Sequence, residues 1–245
     1  MLNSRWLVLL TALGLTSCAT TQRKGATMET DARVVISEDF SNGMDNWWAE
    51  GGERVWVEDG RLYVKADPAD KSPDYVATVW CKTPTPANVK VEFDAHVVSS
   101  SIEANNINFF LCYADPSGQP LFDTRASRAS AAYKLYHDLN GHIFTFLNDR
   151  TGDGGKRADG SAKARFRMRR CPGFQLMTEG YGHHCDAGKT YRVVITKRGG
   201  ELTFGVDGQV YLRGTDPNAL PGGLIGLRTF RTELWWDNIR VTALE

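Results

Sequence analysis

The chain has 245 residues, with 29 Lys and Arg against 29 Asp and Glu, so its formal net charge at pH 7 is zero. A chain without net charge has no overall field to attract nucleic acid, which argues against that class of partner. The part of the chain after residue 33 has a length that suits a single all-β domain.

The N-terminal residues MLNSRWLVLLTALGLTSCAT predict an export signal, since Arg5 precedes an apolar run too short to span a bilayer. Leu15 to Cys18 resemble the lipobox of bacterial lipoproteins, which implies a signal peptide over residues 1–17 and acylation of Cys18. Residues 18–33 are polar and aperiodic, as in a flexible tether. We therefore expect an exported lipoprotein, periplasmic or at the cell surface, held to the membrane by its lipid anchor only. A plain cleaved signal or a membrane anchor is the alternative.

Export to an oxidising compartment makes disulfide bonds feasible. Without Cys18, the cysteines are even in number: Cys81, Cys112, Cys171 and Cys185. We expect Cys171 to pair with Cys185, closing a short loop, and Cys81 to pair with Cys112, joining two predicted strands. A zinc site is the alternative, but no C-x-x-C spacing supports it.

From Val34 onward, the chain consists of short runs of alternating polarity separated by turn residues. RVWVEDGRLYVKA contains two such runs around Asp59-Gly60 and predicts a hairpin. VKVEFDAHVV alternates apolar and polar residues and predicts a half-buried strand. Residues 34–245 thus predict one all-β domain, an antiparallel β-sandwich or jelly roll.

The central stretch YKLYHDLNGH, residues 133–142, combines aromatic, histidine and charged side chains within an apparent strand. Strand alternation would place Tyr133 and His137 on one face and Tyr136 on the other. A bulge or turn at residues 138–141 would be needed to direct His137 and Tyr136 at one substrate; otherwise His137 is a core residue. Because histidine is suited to proton transfer near neutral pH, this stretch is our main candidate for a site.

A basic cluster follows between residues 150 and 170, with eight Lys and Arg against two Asp. Such a cluster in a neutral chain suits an anionic partner. Within it, RFRMRR predicts a strand with Arg165, Arg167 and Arg169 on one face. Arg170 falls on the apolar face, so we expect it to meet a carboxylate, either from a ligand or from the protein. The protein candidates are Glu179 and Glu92.

Two tryptophan doublets, Trp47-Trp48 and Trp235-Trp236, predict one core residue each and one residue on the opposite face of the strand. Trp48 and Trp235 could then stack on sugar rings, or merely cover a sheet.

The loop that carries His183 and His184 could contact a substrate, or could bind a metal together with Glu179 or Asp186. It lacks a third ligand at a fixed spacing, so we predict no metal there. Asn148, Asp149 and Asp153 bear a faint similarity to a calcium loop. A structural calcium ion is the only cofactor that the sequence leaves open.

Several segments resemble the concanavalin A-like lectin/glucanase sandwich: EDFSNGMDNWWAEGGERVWVEDGRLYVK near the start and LIGLRTFRTELWWDNIRVTAL at the end. YHDLNGHIFTFLND and RFRMRRCPGFQLMTE resemble the YesU-like family of uncharacterised bacterial proteins more specifically. The resemblance covers residues 36–243 and implies a sandwich whose first and last strands pair, and work on carbohydrate. The chain departs from the family pattern at Gln175, where the family has His.

Three functional hypotheses follow. The first is a lyase that cleaves an acidic polysaccharide by β-elimination, with Arg170 or Arg167 neutralising the sugar carboxylate, His137 as base and Tyr136 or Tyr133 as acid. The second is a glycan-binding lipoprotein without catalysis. The third is a hydrolase with Glu179 and either Asp138 or Asp94, since no single strand offers paired carboxylates. In each case, the side chains expected to contact the substrate are Arg167, Trp48, Trp235, Glu179, His183 and Tyr133.

Overall fold

The computed structural model describes residues 33–70 and 72–245. The predicted signal peptide, Cys18 and all but the last residue of the predicted tether lie outside the described residues. The described chain forms fifteen strands: β1 (Val34–Glu38), β2 (Trp47–Gly51), β3 (Arg54–Glu58), β4 (Arg61–Lys65), β5 (Val76–Cys81), β6 (Val89–Ser99), β7 (Ile107–Ala114), β8 (Asn140–Asn148), β9 (Ala164–Cys171), β10 (Gln175–Gly182), β11 (Lys189–Arg198), β12 (Glu201–Val206), β13 (Gln209–Thr215), β14 (Leu224–Phe230) and β15 (Glu233–Ala243). Two 3₁₀ helices, Arg125–Arg128 and Tyr133–Tyr136, lie between β7 and β8.

The strands form two antiparallel sheets, which confirms the predicted sandwich. The seven-stranded sheet has the order β10-β9-β8-β7-β14-β5-β2, and the eight-stranded sheet has the order β13-β12-β11-β6-β15-β4-β3, with β1 beside β15. The pairing of β1 with β15 joins the first and last strands, as expected. Within the described residues, no helix is long and apolar enough to cross a membrane.

The main core lies between the two sheets and is built from alternate residues of each strand. On β9, Phe166 and Met168 are fully buried in this core, so β9 alternates as predicted from RFRMRR. The tryptophan doublets divide in the same way. Trp47 and Trp236 belong to the core, whereas Trp48 and Trp235 lie on the outer faces of their sheets.

The predicted hairpin at Asp59-Gly60 joins β3 to β4, with Glu58 opposite Arg61. Both turn residues have positive φ, 48° and 67°. Asp and Gly tolerate this left-handed region, and a two-residue turn of this kind matches the twist of the strands that it connects.

The stretch from residue 133 to 142 is not one strand, so the prediction from alternation was wrong there. Tyr133–Tyr136 forms a 3₁₀ helix, and β8 begins only at Asn140. In a 3₁₀ helix, residues three apart lie on the same side, so Tyr133 and Tyr136 both face the seven-stranded sheet. These residues pair with no strand, and the chain joins the sheet only at β8.

The predicted disulfides are absent, since Cys81, Cys112, Cys171 and Cys185 are all free and buried. Cys81 on β5 and Cys112 on β7 are separated by β14, so two strand spacings, about 10 Å, lie between them; a disulfide requires Cα atoms within about 7 Å. Cys185 lies in the core between the sheets, and Cys171 packs on the opposite face of the seven-stranded sheet. The Cys185 thiol donates to the Asn105 carbonyl at 2.9 Å, and burial raises the pKa of Cys112 to about 11.

Candidate functional site

A row of polar side chains crosses the outer face of the seven-stranded sheet. Its members are cross-strand partners on successive strands, so they lie side by side on one face. From β10 to β2 they are Glu179, Arg167, Thr145, Asn108, Arg228, Thr78 and Glu50. We call this set the polar row; its six strand spacings span about 29 Å. Polar residues on a sheet face are ordinary when water covers them, but most of this row is buried.

Residues 115–139, which we call the cover segment, lie over part of this face. Leu121, Tyr136 and Leu139 of this segment pack on an apolar cluster that includes Trp48 and Trp80 of the sheet. Backbone hydrogen bonds hold the segment at both sides of the face. The amide of Gly51 on β2 donates to Ala129, and the amide of Gly173, between β9 and β10, donates to His137, each at 2.9 Å.

Glu50, at the end of the polar row, fixes the cover segment to the sheet. Its carboxylate accepts hydrogen bonds from the Tyr136 hydroxyl at 2.7 Å and from Trp80 Nε1 at 3.0 Å. Arg128 of the cover segment lies 3.1 Å from the same carboxylate, and both side chains are almost fully buried. A buried carboxylate with this many partners is satisfied, so this part of the row is structural.

Tyr136 therefore does not fit the role of catalytic acid that the sequence suggested. The side chain is fully buried, and its hydroxyl donates to Glu50. Burial and the adjacent carboxylate together raise the pKa of Tyr136 far above its ordinary value. A group that is both inaccessible and held protonated has no route to a substrate.

The middle of the polar row borders an open cavity of about 410 Å³. Thr145, Asn108 and Arg228 lie on the strands that form its base. Four aromatic residues border it: Tyr75, Tyr133 of the cover segment, Phe174, and Phe230 at the end of β14. Apolar walls around a few polar groups are typical of a binding site for a small ligand.

Arg228 is the most unusual residue of this cavity. Its side chain is 1% exposed, yet among the described residues no carboxylate lies within 4 Å of it. Nη1 donates to Thr78 Oγ1 at 2.7 Å and to the Ala131 carbonyl at 2.9 Å. The Tyr133 ring lies 4.5 Å from the guanidinium carbon. Burial lowers the pKa of Arg228, as expected for a charge that is removed from water without a counter-ion in contact.

Arg169 is a second guanidinium at the cavity without a carboxylate partner in the described part of the chain. It lies over the Phe174 ring at 4.4 Å, and burial lowers its pKa. Arg167 differs, because it forms an ion pair with Glu179, which also accepts a hydrogen bond from the Tyr181 hydroxyl. The cavity therefore carries an excess of two positive charges.

Asn106 and Asn108 add uncharged polar groups to the cavity. Both residues are at least 95% buried and line the cavity, at 5% and 4% exposure. The Oδ1 atom of each has no hydrogen-bond partner among the residues that the structure describes. Both Oδ1 atoms are sealed from solvent, so a ligand in the cavity can reach these amides only through Nδ2, which makes no hydrogen bond to a described residue.

His137 and Tyr133 lie beside the cavity but differ in access. His137 stacks on Phe174 with ring centroids 3.9 Å apart, and its Nε2 is buried without a partner in the described residues. Burial lowers the pKa of His137, which favours the neutral imidazole. Tyr133 lines the cavity itself, and burial raises its pKa, although Arg228 and Arg169 oppose the change.

Arg170 does meet a carboxylate, as its position on the apolar face of β9 predicts. The partner is Asp216, at 2.8 Å from Nε, and neither Glu179 nor Glu92. Asp216 also bonds His142 Nε2 at 2.8 Å, and burial lowers the pKa of His142 to about 4. Arg170 lies on the side of the sheet away from the open cavity, and its guanidinium is already paired with Asp216.

The two tryptophans predicted to bind sugar are both occupied by protein contacts. Trp48 is 7% exposed and meets the edge of Phe122 from the cover segment. Trp235 lies on the outer face of the eight-stranded sheet, opposite to the cavity. Its ring is stacked on His96 with centroids 4.9 Å apart, and Arg61 lies 4.5 Å from its centroid. Neither ring offers a free face to a sugar in the cavity.

His183 lies outside the cavity as well. Its Nε2 bonds Asp207 at 2.8 Å, whereas His184 Nδ1 faces Asp186 at 3.1 Å. The two histidines thus have separate carboxylate partners. Within residues 33–70 and 72–245, no group of three His, Cys, Asp or Glu side chains is placed to hold a metal ion.

The faint calcium loop is occupied by an arginine. Arg165 Nη2 lies 2.7 Å from both Asp149 and Asp153, and the Gly154 amide donates to Asp149 at 2.8 Å. A guanidinium thus neutralises the two carboxylates that would bind calcium, and the residues do not fit that cofactor.

Sequence reasoning missed Arg228, Asn106, Asn108, Phe174 and Glu50. One signal for Arg228 was present: a charged residue interrupts the otherwise apolar strand LIGLRTF. The others carry no local signal, because cross-strand pairing brings them together from distant positions.

Comparison with solved structures supports the sandwich. A protein of unknown function with a galectin-like fold from Bacillus subtilis superposes with a TM-score of 0.69 at 19% identity, covering 86% of this chain and 96% of that one. The carbohydrate binding module CBM66 from Bacillus subtilis gives a TM-score of 0.54 at 11% identity, covering 81% and 96%. SCLam, a non-specific endo-beta-1,3(4)-glucanase of family GH16, gives 0.56 at 10% identity, covering 88% and 92%. Identities this low establish the fold alone.

No functionally curated protein matches the chain in sequence. A family model, the domain of unknown function DUF1961, matches residues 36–232, which include every strand from β2 to β14. The chain therefore belongs to the DUF1961 family.

Proposed function

We propose that the protein binds an acidic saccharide in the open cavity on the outer face of the seven-stranded sheet. The observation that carries this proposal is the presence of two guanidiniums, Arg228 and Arg169, that line the cavity without a carboxylate partner. A buried positive charge without a counter-ion is costly, and an anionic ligand would supply one.

The aromatic and amide groups of the cavity support a saccharide as the anion. Tyr133, Phe174 and Phe230 offer apolar surface, and Asn106 and Asn108 offer amides that match sugar hydroxyls. The volume of about 410 Å³ suits a short stretch of sugar residues. The similar solved structures include a carbohydrate binding module and a glucanase, which is consistent with this class of ligand.

The proposal also covers where the protein acts in the cell. The N-terminal signal and Cys18 favour an exported lipoprotein that holds its ligand at a membrane surface. The two interior motifs shared with YesU-like proteins favour a place within that group of the family.

A second candidate function is cleavage of the same ligand by β-elimination. In this reaction a base removes the proton beside the sugar carboxylate, the C–O bond to the leaving sugar breaks, a C=C bond forms, and the leaving oxygen takes up a proton. Tyr133 favours it, since this phenol lines the cavity and lies beside Arg228. Arg228 and Arg169 would neutralise the carboxylate, in place of Arg170.

Hydrolysis is less well supported by the geometry. Glu179 is paired with Arg167, and its suggested partner Asp94 lies on β6 of the other sheet, where it pairs with Arg192. Asp138 is exposed at the end of the cover segment. These carboxylates do not converge as a glycosidase requires.

A binding panel tests the proposal. Purified protein is titrated calorimetrically with oligosaccharides of glucuronic, galacturonic and mannuronic acid, with sulfated oligosaccharides, and with neutral glucans and galactans. We expect at least one acidic ligand to bind, and Arg169→Ala to weaken it at least tenfold. Arg240→Ala, an exposed residue on β15, is the matched control and should bind normally. Binding of neutral glycans alone, or no binding by any ligand, would disprove the proposal.

The same samples distinguish binding from elimination. A lyase would form an unsaturated product, which is detected by its ultraviolet absorbance. Loss of this product in Tyr133→Phe, while binding persists, would establish the lyase. Binding without any product would establish a binding protein.

A further inference from the structure

We infer that the acidic group of the ligand is a carboxylate, held by two parallel hydrogen bonds from the Nε–Nη2 edge of Arg228. This inference rests on the proposed function and goes further, because it specifies uronic-acid-type sugars over sulfated ones and identifies the residue that distinguishes them.

The first step is the orientation of the guanidinium. Both hydrogen bonds from Arg228 to described residues leave from Nη1, to Thr78 and to Ala131. Nε and Nη2 make no hydrogen bond to any described residue. Both atoms nevertheless remain accessible from outside the protein. Since Arg228 lines the cavity, the small exposure of the residue is toward that space.

The second step is the shape of the free edge. Nε–H and Nη2–H lie in one plane and point in nearly the same direction, which matches the two oxygens of a carboxylate. The guanidinium is held in place by its two Nη1 bonds and by the rings of Tyr133 and Phe110, at 4.5 and 5.6 Å. A receptor that is already ordered loses little entropy when the ligand binds.

The third step concerns sulfate. A tetrahedral sulfate group has a third terminal oxygen outside the plane of this edge, and the Tyr133 ring lines the cavity beside Arg228. Placing a charged oxygen against apolar surface without a donor is unfavourable. A planar carboxylate avoids that contact, so the aromatic surroundings favour it.

The fourth step places the rest of the sugar. Asn108 is the cross-strand partner of Arg228, so its amide lies directly beside the guanidinium. Asn106, which immediately precedes β7, lines the same cavity. These amides are positioned to bond hydroxyls on the ring that carries the carboxylate.

The test uses the uronic-acid oligosaccharide that binds best in the panel, its carboxyl-reduced neutral form, and the sulfated form of that neutral sugar. We expect the wild type to bind the uronate at least tenfold more tightly than either of the others. Arg228→Lys keeps the charge but removes the planar fork, and should weaken uronate binding at least tenfold. Arg169→Lys, also in the cavity, is the matched control and should have a smaller effect.

A second pair of variants covers the case in which Arg228→Lys does not fold, as judged by circular dichroism. Asn108→Asp places a competing carboxylate beside Arg228 and should reduce uronate binding at least tenfold more than Asn108→Ala does. Equal binding of sulfated and carboxylated ligands, unaltered binding by Arg228→Lys, or equal effects of the two Asn108 variants would overturn the inference and leave acidic-saccharide binding intact. Failure of every acidic ligand to bind overturns the proposed function instead.

Discussion

The two parts of the polar row place buried charges in opposite situations. At the covered end, Glu50 is matched by Arg128 and by three neutral donors. In the open cavity, Arg228 is as deeply buried but has no carboxylate partner in the described chain. A satisfied charge stabilises the fold, whereas an unsatisfied one at a cavity favours a ligand. Burial alone therefore does not identify the site; a buried charge that lacks a carboxylate partner and also borders an open cavity does.

The largest effect is expected at the covered end. Glu50→Gln should lower the free energy of unfolding by about 3–5 kcal/mol, because it leaves Arg128 buried without a counter-charge. Urea denaturation of the variant and the wild type measures the difference. A loss below about 1 kcal/mol would show that the covered end is not the stabilising part of the row.

Arg228→Met makes the corresponding change in the open cavity. We expect a loss of at most about 1–2 kcal/mol, since two hydrogen bonds disappear together with an uncompensated buried charge. The same variant should lose binding of acidic saccharides in the calorimetric panel. If it unfolds as easily as Glu50→Gln, the two parts of the row are alike and the comparison fails.

The amides should affect binding and leave stability almost unaltered. Asn106→Ala should weaken saccharide binding by about 1 kcal/mol, roughly fivefold, through loss of one hydrogen bond. Its free energy of unfolding should stay within about 0.5 kcal/mol of the wild type, because the Oδ1 atom has no partner in the described residues. Calorimetric titration and urea denaturation of one preparation give both values; a large stability loss with normal binding would contradict the assignment.

The smallest effect on binding is expected on the opposite side of the molecule. Trp235→Ala should leave saccharide affinity unaltered, because Trp235 lies on the eight-stranded sheet between His96 and Arg61. Weaker binding by this variant would indicate that the saccharide binds on the eight-stranded sheet, where the sequence predicted Trp235 as a possible contact.

The sequence determined the sandwich because strands and turns are specified by patterns among neighbouring residues. Alternation and turn residues specify strands such as β9 and hairpins such as β3–β4, and these confirmed the fold. Alternation failed for Tyr133 to Tyr136, where the chain pairs with no strand.

Only the tertiary structure decided the site, because its members meet by cross-strand pairing between distant segments. The alternation of RFRMRR required a carboxylate for Arg170, but Asp216, which follows β13 of the other sheet, could be identified only in three dimensions. Asn108 and Arg228 are neighbours on adjacent strands although 120 residues separate them. Whether a buried charge has a partner depends on all the strands around it, and no local pattern in the chain records that.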